Sequence, residues 1–350
     1  MSEPVKSGAP GAEGRERLLG LIRGYRITQA IYVAARLGIP DLLADGPRDI
    51  DDLARETGSH PQSLGRVLLI LAGAGVLEKV GARGFALTDV GFALRTGVPG
   101  SVRSNVLFSL NEAHWRPWGH LLHTVRTGET AFQHVHGASL FDYLAANPEE
   151  ADLFNKGMAG NSPAHANLVA ASYDFSGMRR VVDVAGGRGR LLATILTRNP
   201  HLRGILFDLP HVVESARELM EEAGASDRCE FVGGDFFQAV PGDGDAYILR
   251  NIIHDWQDDR AVAILGTCRR AMGGHARLLL VERYLSEDPR EALLVRHADL
   301  EMLVNVGGRE RTTDEYASLL AQSGLKLART IPLGSAPEAM GHYLIEAQPA

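Results

Sequence analysis

Val181-Val182-Asp183-Val184-Ala185-Gly186-Gly187-Arg188-Gly189-Arg190 is the stretch from which the fold is read. An apolar run carrying one late acid gives way to a loop of small residues, the pattern of a strand that turns sharply into a helix. Downstream, the candidate strands VVDVA (181–185), GILFD (204–208), CEFVGGD (229–235), AYILR (246–250) and RLLLVE (277–282) alternate with helical stretches around 190–198, 211–223 and 258–271. Nearly continuous apolar strands alternating with helices predict an α/β unit whose parallel sheet is covered on both faces.

Upstream the character differs. Leu18, Leu19, Ile22, Tyr25, Ile27, Ile31 and Val33 recur at helical spacing and run into a stop at Leu37-Gly38-Ile39-Pro40. Two short helical patterns follow, Ile50–Thr57 and Pro61–Ala74, the second with proline preset at its first position. VLEKVGARGFALTDVG then reads as two strands about a Gly81–Gly84 turn. Helix, turn, helix and hairpin make the outline of a winged helix. The stretch from Ser101 to Ser172 is a string of helical segments rich in aromatics and histidines. The expected division is an unstructured tail over 1–14, a winged-helix-like unit over 15–105, a helical connector over 106–172 and the α/β unit over 173–350.

Bulk properties narrow the function. A hydrophobic content of 45% with 23% charged residues is ordinary for a folded, soluble chain. A net charge of -7 argues against binding nucleic acid by phosphate neutralisation. The would-be recognition helix PQSLGRVLLILAGA carries one cation, Arg66, where groove reading needs several exposed polar and basic side chains. A winged-helix regulator is therefore the weaker reading. No leader pattern opens the sequence and no apolar run approaches the roughly 18 residues of a bilayer span. The two cysteines, Cys229 and Cys268, suit a reducing cytoplasm.

In open parallel sheets ligands gather beyond the carboxyl ends of the strands. Asp183, the loop of Ala185, Gly186 and Gly187, Asp208 at the end of FDLP and Asp235-Phe236 in GGDFF all fall there. Asp208 is placed to accept from ribose hydroxyls; Asp235 lies where an adenine amino group would reach, and Phe236 could stack on the ring. Each acid could also simply cap the helix that follows it. The dinucleotide fingerprint G-x-G-x-x-G fails at its third glycine, where Leu192 stands. Asp183 would repel a pyrophosphate yet suit a cationic ligand, which favours S-adenosylmethionine over a dinucleotide.

LRNIIHDWQDD (249–259) follows the fourth strand and sets His254 where cofactor and substrate would meet; Glu282 ends the fifth strand and Glu310 lies in GGRERT. In order, DVAGGRG, FDLPHV, GGDFF, LRNIIHDWQDD, LLLVE and GGRERT resemble the small-molecule O-methyltransferases that include plant caffeate and flavonoid enzymes and bacterial antibiotic-tailoring enzymes. LGIPDLL, the Pro61–Val76 region and FDYLAANPEEADLFNKGM extend the resemblance over nearly the whole chain. It implies a Rossmann-like methyltransferase domain behind a dimerisation domain, a homodimer, and S-adenosylmethionine as methyl donor. By position it makes His254 the general base and Glu282 and Glu310 its orienting acids. Ala185, Asp208, Asp235, Phe236 and Arg250 fall at donor positions, and Phe154, Met158, Met302 and Asn305 at substrate or methionine-end positions. Two departures stand out: Ala185 replaces the first glycine of the usual triple, which matters if that residue needs positive φ, and Arg250 stands where plant members have lysine.

The expected reaction is methyl transfer to the hydroxyl of a small aromatic molecule, with a neutral imidazole removing the phenolic proton and no metal involved. Same-fold enzymes that methylate nitrogen, or that have drifted to hydroxylation or decarboxylation, are the alternative. Phe108, Trp115, Trp118, Phe132 and Met158 could line an apolar pocket or simply fill a core. Tyr25, Ile27 and Ile31 are candidate dimer contacts. His120-x-x-His123 and His134-x-His136 lack an accompanying cysteine or carboxylate pattern and are read as incidental, or, for the second pair, as lying near substrate.

Overall fold

The computed structural model describes residues 11–160, 162–285, 289–334 and 341–350. The chain divides into two compact units, one of Met1–Trp115 with Glu149–Gly160 and one of Arg116–Pro148 with Asn161–Ala350. The stretch expected to form one connector, 106–172, is thus shared between them. Of the tail expected over 1–14, residues 12–14 belong to the first helix, which begins at Ala12, and residues 1–10 lie outside the described residues.

The first unit has the winged-helix outline. Its first helix, Ala12–Arg36, precedes Ile50–Thr57, where the Asp49 side chain caps the start by accepting the Asp51 N–H at 2.8 Å and Gly58 ends it in the left-handed region. The helix Pro61–Gly73 follows, with Leu64, Leu68 and Leu71 buried. Leu77–Val80 and Gly84–Leu87 form the hairpin, extended by the short strand Arg48–Asp49. Ala30, Ala34, Ile39, Leu53 and Phe85 close this core. The outer face of Pro61–Gly73 exposes Leu69 and Ile70 beside its one cation, a surface unsuited to a phosphate backbone.

The second unit is built on seven strands: β1 (Arg180–Val184), β2 (Arg203–Asp208), β3 (Cys229–Gly233), β4 (Ala246–Arg250), β5 (Arg277–Arg283), β6 (Leu325–Pro332) and β7 (His342–Pro349). Their spatial order is β3-β2-β1-β4-β5-β7-β6. β1 to β5 are parallel, as read, but β7 enters antiparallel between β5 and β6. The sheet is therefore mixed. LKLARTIP and HYLIEAQP carry Lys326, Arg329, His342 and Glu346 among their apolar residues, so the continuous apolar signal that marked the other strands is broken.

Alternation along the strands divides the core in two. Val181, Leu206, Ile248, Leu279 and Leu344 face one layer with Leu192 and Val169, while Val182, Ile205, Tyr247, Leu280 and Ile345 face the other with Ile264 and Leu320. Among the described residues no helix is long and apolar enough to cross a membrane.

The carboxyl ends of β1 and β4 hold two non-glycine residues in the left-handed region, Ala185 (φ 56°) and Asn251 (φ 54°). Asparagine tolerates this; alanine pays roughly 1–2 kcal/mol. The departure seen at Ala185 is thus a strained one. Next to it, a Cβ on Gly186 would stand 2.6 Å from both Cγ and Oδ2 of Asp183. Gly186→Ala is expected to cost about 1–3 kcal/mol by overpacking a buried carboxyl, read as a lowered thermal midpoint.

Candidate active site

β4 ends at Arg250, and the left-handed Asn251 swings the chain into a short 3-10 turn, Ile253–Asp255, that presents His254. Glu282, near the end of the neighbouring β5, fixes this turn from below: its Oε1 accepts the N–H groups of Ile252 at 3.1 Å and Ile253 at 2.8 Å. The Gly307–Arg311 segment clamps it from the other side. Arg309 N–H donates to the His254 carbonyl at 2.8 Å, and a Cβ on Gly308 would collide with that same carbonyl. The fully buried Arg311 donates to the carbonyls of Ile253 (3.0 Å) and Trp256 (2.6 Å) and to Asp258 Oδ1 (2.8 Å).

His254, Glu282 and Glu310, widely separated in sequence, are thus brought together and buried. Their roles differ from one another. Nδ1 of His254 is 3.0 Å from Glu310 Oε1 but 3.9 Å from Glu282 Oε2. Glu310 therefore holds the ring, and Glu282 mainly holds the backbone beneath it. Glu310 is in turn set by its own N–H, which donates to Asp299 at 2.9 Å. With Nδ1 committed, Nε2 is the nitrogen left for chemistry; Asp255 Oδ1 lies 3.5 Å from it, too far for a strong hydrogen bond.

The imidazole is not the ordinary one the sequence suggested. Burial pulls its pKa down, but the charges of Glu282, Asp255 and Glu310 and the hydrogen bond to Glu310 outweigh this and raise it to about 10. Burial pushes Glu282 up to about 7 and Asp255 up to about 6, each partly offset by His254. The neighbouring acids thus raise the ring's affinity for a proton, a feature of the site that the sequence did not show.

At the strand ends toward β3, Asp208 accepts Gly187 N–H at 2.8 Å and Leu209 N–H at 2.7 Å, joining the β1 and β2 loops. Asp235 accepts Phe237 N–H at 2.8 Å and so caps its own turn, the bland role considered for it. Phe236 and Phe237 meet Trp256 edge to face, and Phe141 stacks on Trp256 at 6.1 Å, making an aromatic shelf beside the catalytic turn. Asp183 is 2% exposed, and its Oδ2 has no partner in the protein. Burial raises its pKa to about 7, against the nearby charge of Arg250. An orphaned carboxylate oxygen beside a side-chain-free loop suits a cationic amino group, so these residues fit S-adenosylmethionine.

The substrate candidates divide. Met302 and Asn305 lie on the helix Pro289–Asn305 of the second unit, where Asn305 Nδ2 donates to Glu301 at 2.8 Å and the buried Oδ1 is left without a partner. Phe154 and Met158 belong to the first unit; Phe154 meets the buried Phe108 edge to face at 5.2 Å, and Met158 is 46% exposed. Phe132 is fully buried in the second unit, a core residue. Sequence reasoning passed over Asp255, Asp299, Gly308 and Arg311. Three of the four lay inside motifs already quoted, Asp255 in LRNIIHDWQDD and Gly308 and Arg311 in GGRERT, but a buried arginine clamp has no signature apart from its fold.

Residues 19–96 match the O-methyltransferase dimerisation domain and residues 118–326 the O-methyltransferase domain. The chain is 46% identical over 332 residues to a phenazine O-methyltransferase of Lysobacter antibioticus, covering 95% of each chain. It superposes on the mitomycin 7-O-methyltransferase structure with a TM-score of 0.92 at 40% identity, over 97% of this chain and 98% of that one. A neocarzinostatin-pathway O-methyltransferase, solved with S-adenosylmethionine and a hydroxy-methyl-naphthoic acid, gives 0.82 at 31% identity over 93% and 96%. Relatives also include an 8-amino-8-demethylriboflavin N,N-dimethyltransferase of Streptomyces davaonensis (37%) and an aclacinomycin 10-hydroxylase of Streptomyces purpurascens (35%). The chain belongs to the S-adenosylmethionine-dependent O-methyltransferase family, with the family's dimerisation domain preceding its catalytic domain.

Proposed function

We propose that this enzyme methylates a hydroxyl of a small, hydroxylated mono- or polycyclic aromatic, with His254 as general base and without a metal. The observation that carries the reading is the buried His254–Glu310 pair, bonded at 3.0 Å through Nδ1, which leaves Nε2 as the proton acceptor. Glu310 fixes the tautomer and stabilises the imidazolium once the proton arrives, the logic of a catalytic triad without a covalent intermediate. S-adenosylmethionine supplies an already activated methyl group. The protein's work is to orient the acceptor, exclude water and take one proton.

The acids around His254 raise the ring's affinity for a proton, which favours transfer from a phenol, whose own pKa is about 10. Asp183, Asp208, Arg250 and the Ala185–Gly187 loop would hold the donor, with Asp235 and Phe236 at its base and Met302 and Asn305 toward the acceptor. Phe154 and Met158 are proposed acceptor contacts by their family positions alone. Glu282 Oε1 accepts two backbone N–H groups and Glu310 Oε1 faces the ring, while Oε2 of each carboxylate has no hydrogen-bond partner among the described residues. The N-methylating and hydroxylating relatives define the alternative reading; an intact base, needed for a hydroxyl, favours oxygen as acceptor.

The named substrates of relatives, a phenazine, a mitomycin and a hydroxynaphthoate, support a planar aromatic acceptor. We further assign the enzyme a homodimer in the cytoplasm. Leu18, Leu21, Ile22 and Tyr25 form an exposed apolar stripe at helical spacing on Ala12–Arg36. Of the three dimer candidates read from sequence, Tyr25 belongs to this stripe, while Ile31 packs partly into its own core.

His254→Ala is expected to lower kcat by about 10²–10⁴-fold while donor affinity by calorimetry stays within twofold; unchanged turnover on a hydroxylated polycyclic panel would remove the base assignment. Asp208→Ala does the reverse, weakening the donor by roughly 10–100-fold, the equivalent of lost hydrogen bonds to a charged group. In wild type, kcat rises with pH with an inflection above 6.5, because the base is competent only once its proton has left. Glu310→Gln removes an anion from the imidazolium, so the inflection moves to lower pH as kcat falls; a stationary inflection would mean another group titrates. Turnover survives exhaustive treatment with a chelator.

A further inference from the structure

The helix Leu121–Thr127 and the helix Ala131–His136 are joined by Gly128-Glu129-Thr130, with Gly128 in the left-handed region. The two histidine pairs that the sequence left without a carboxylate converge here on one. His123 Nε2 is 2.8 Å from Glu129 Oε2, and the His123 and His134 rings stack with centroids 3.8 Å apart. One ligand atom from each of His123, Glu129 and His134 lies within 4.8 Å of the others. His120 flanks them, its ring 5.2 Å from that of His134. Glu129 is not free to wander: its N–H donates to Thr127 Oγ1 at 3.2 Å, and Thr127 Oγ1 donates to the His123 carbonyl at 2.9 Å.

We propose that His123, Glu129 and His134 form a binding site for a divalent transition-metal ion of the Zn2+ class. Two imidazoles and a carboxylate are a donor set suited to that ion, and three protein ligands leave a fourth position for water. Tetrahedral Zn–N and Zn–O bonds of about 2.0–2.2 Å need the ligand atoms brought within about 3.3–3.5 Å of one another, a shift that side-chain rotation at this half-exposed position supplies. The alternative, an exposed histidine–glutamate pair with a stacked ring, contributes little by itself.

The site has a structural consequence for the enzyme. Both helices pack against Pro289–Asn305, which carries Met302 and Asn305, and the Thr130 methyl stands 3.0 Å from a Cβ placed on Gly307. An ion joining the two helices would stiffen the support behind the Gly307–Arg311 segment without entering the catalytic cluster.

The test is titration of chelator-treated, full-length protein with ZnCl2 alone, followed by calorimetry and by competition with a chromophoric chelator. One saturable equivalent is expected, accompanied by a higher melting temperature. His134→Ala and Glu129→Gln each weaken it at least tenfold, whereas His254→Ala retains it, separating this site from the catalytic histidine. His123→Gln, read through loss of the visible spectrum of Co2+ added in place of Zn2+, serves if His134→Ala does not fold. Absence of a saturable equivalent, its survival in the helix-pair variants, or its loss in His254→Ala overturns the proposal.

Discussion

The structure depends on one contact between two segments remote in sequence: the backbone of Gly308 pressed against the carbonyl of His254. Only a residue without a side chain permits that approach, and it allows Arg309 N–H, the Glu310 carboxylate and the Arg311 guanidinium to reach the same turn in succession. Each residue of the segment thus serves the catalytic turn in a different way: space, backbone pairing, ring orientation and carbonyl satisfaction. With Glu282 engaging the turn's N–H groups from β5, its backbone polar groups are met on both sides. The turn is held by these hydrogen bonds together with the burial of Ile253 in the core.

This arrangement explains why three acids can surround one imidazole in a buried place. Uncompensated burial of several carboxylates would be severely unfavourable. Here Glu282 is met by two N–H donors, Glu310 by the ring, and the nearby guanidinium of Arg283 lies 3.9 Å from Glu310. The Oε2 atom of each glutamate is left without a hydrogen-bond partner among the described residues, and the acids together raise the ring's affinity for a proton. The cluster titrates as a unit, and its chemistry follows from the balance among its members rather than from histidine's ordinary value.

Much of this was legible in the residues. Apolar strands ending in Asp183, Asp208, Arg250 and Glu282 announced the α/β unit and placed the site at their carboxyl ends, because buried parallel strands leave a continuous hydrophobic trace. The motif order identified His254, Glu282 and Glu310 as partners. What escaped notice had a physical cause in each case. β6 and β7 mix charged and apolar residues, so no apolar run marks them. The unequal roles of Glu282 and Glu310 rest on differences of about an ångström. The missing glycine raises the positive φ of Ala185 only as a condition, because an alanine does not itself announce it. The meeting of His123, Glu129 and His134 arises from a tight turn between helices, whereas sequence spacing alone shows two unrelated pairs.

Asp208 carries a consequence of its own. Its carboxylate is already tied to the amides of Gly187 and Leu209, so the loops at the carboxyl ends of β1 and β2 are joined by the protein's own bonds. Each oxygen still has a lone pair to offer a hydroxyl. For the donor role proposed for Asp208, no loop then has to be immobilised when a ligand arrives, and the entropy of ordering it has been met during folding. Under that proposal, selectivity at this end rests on a rigid template, and adaptability toward an aromatic partner resides elsewhere in the chain.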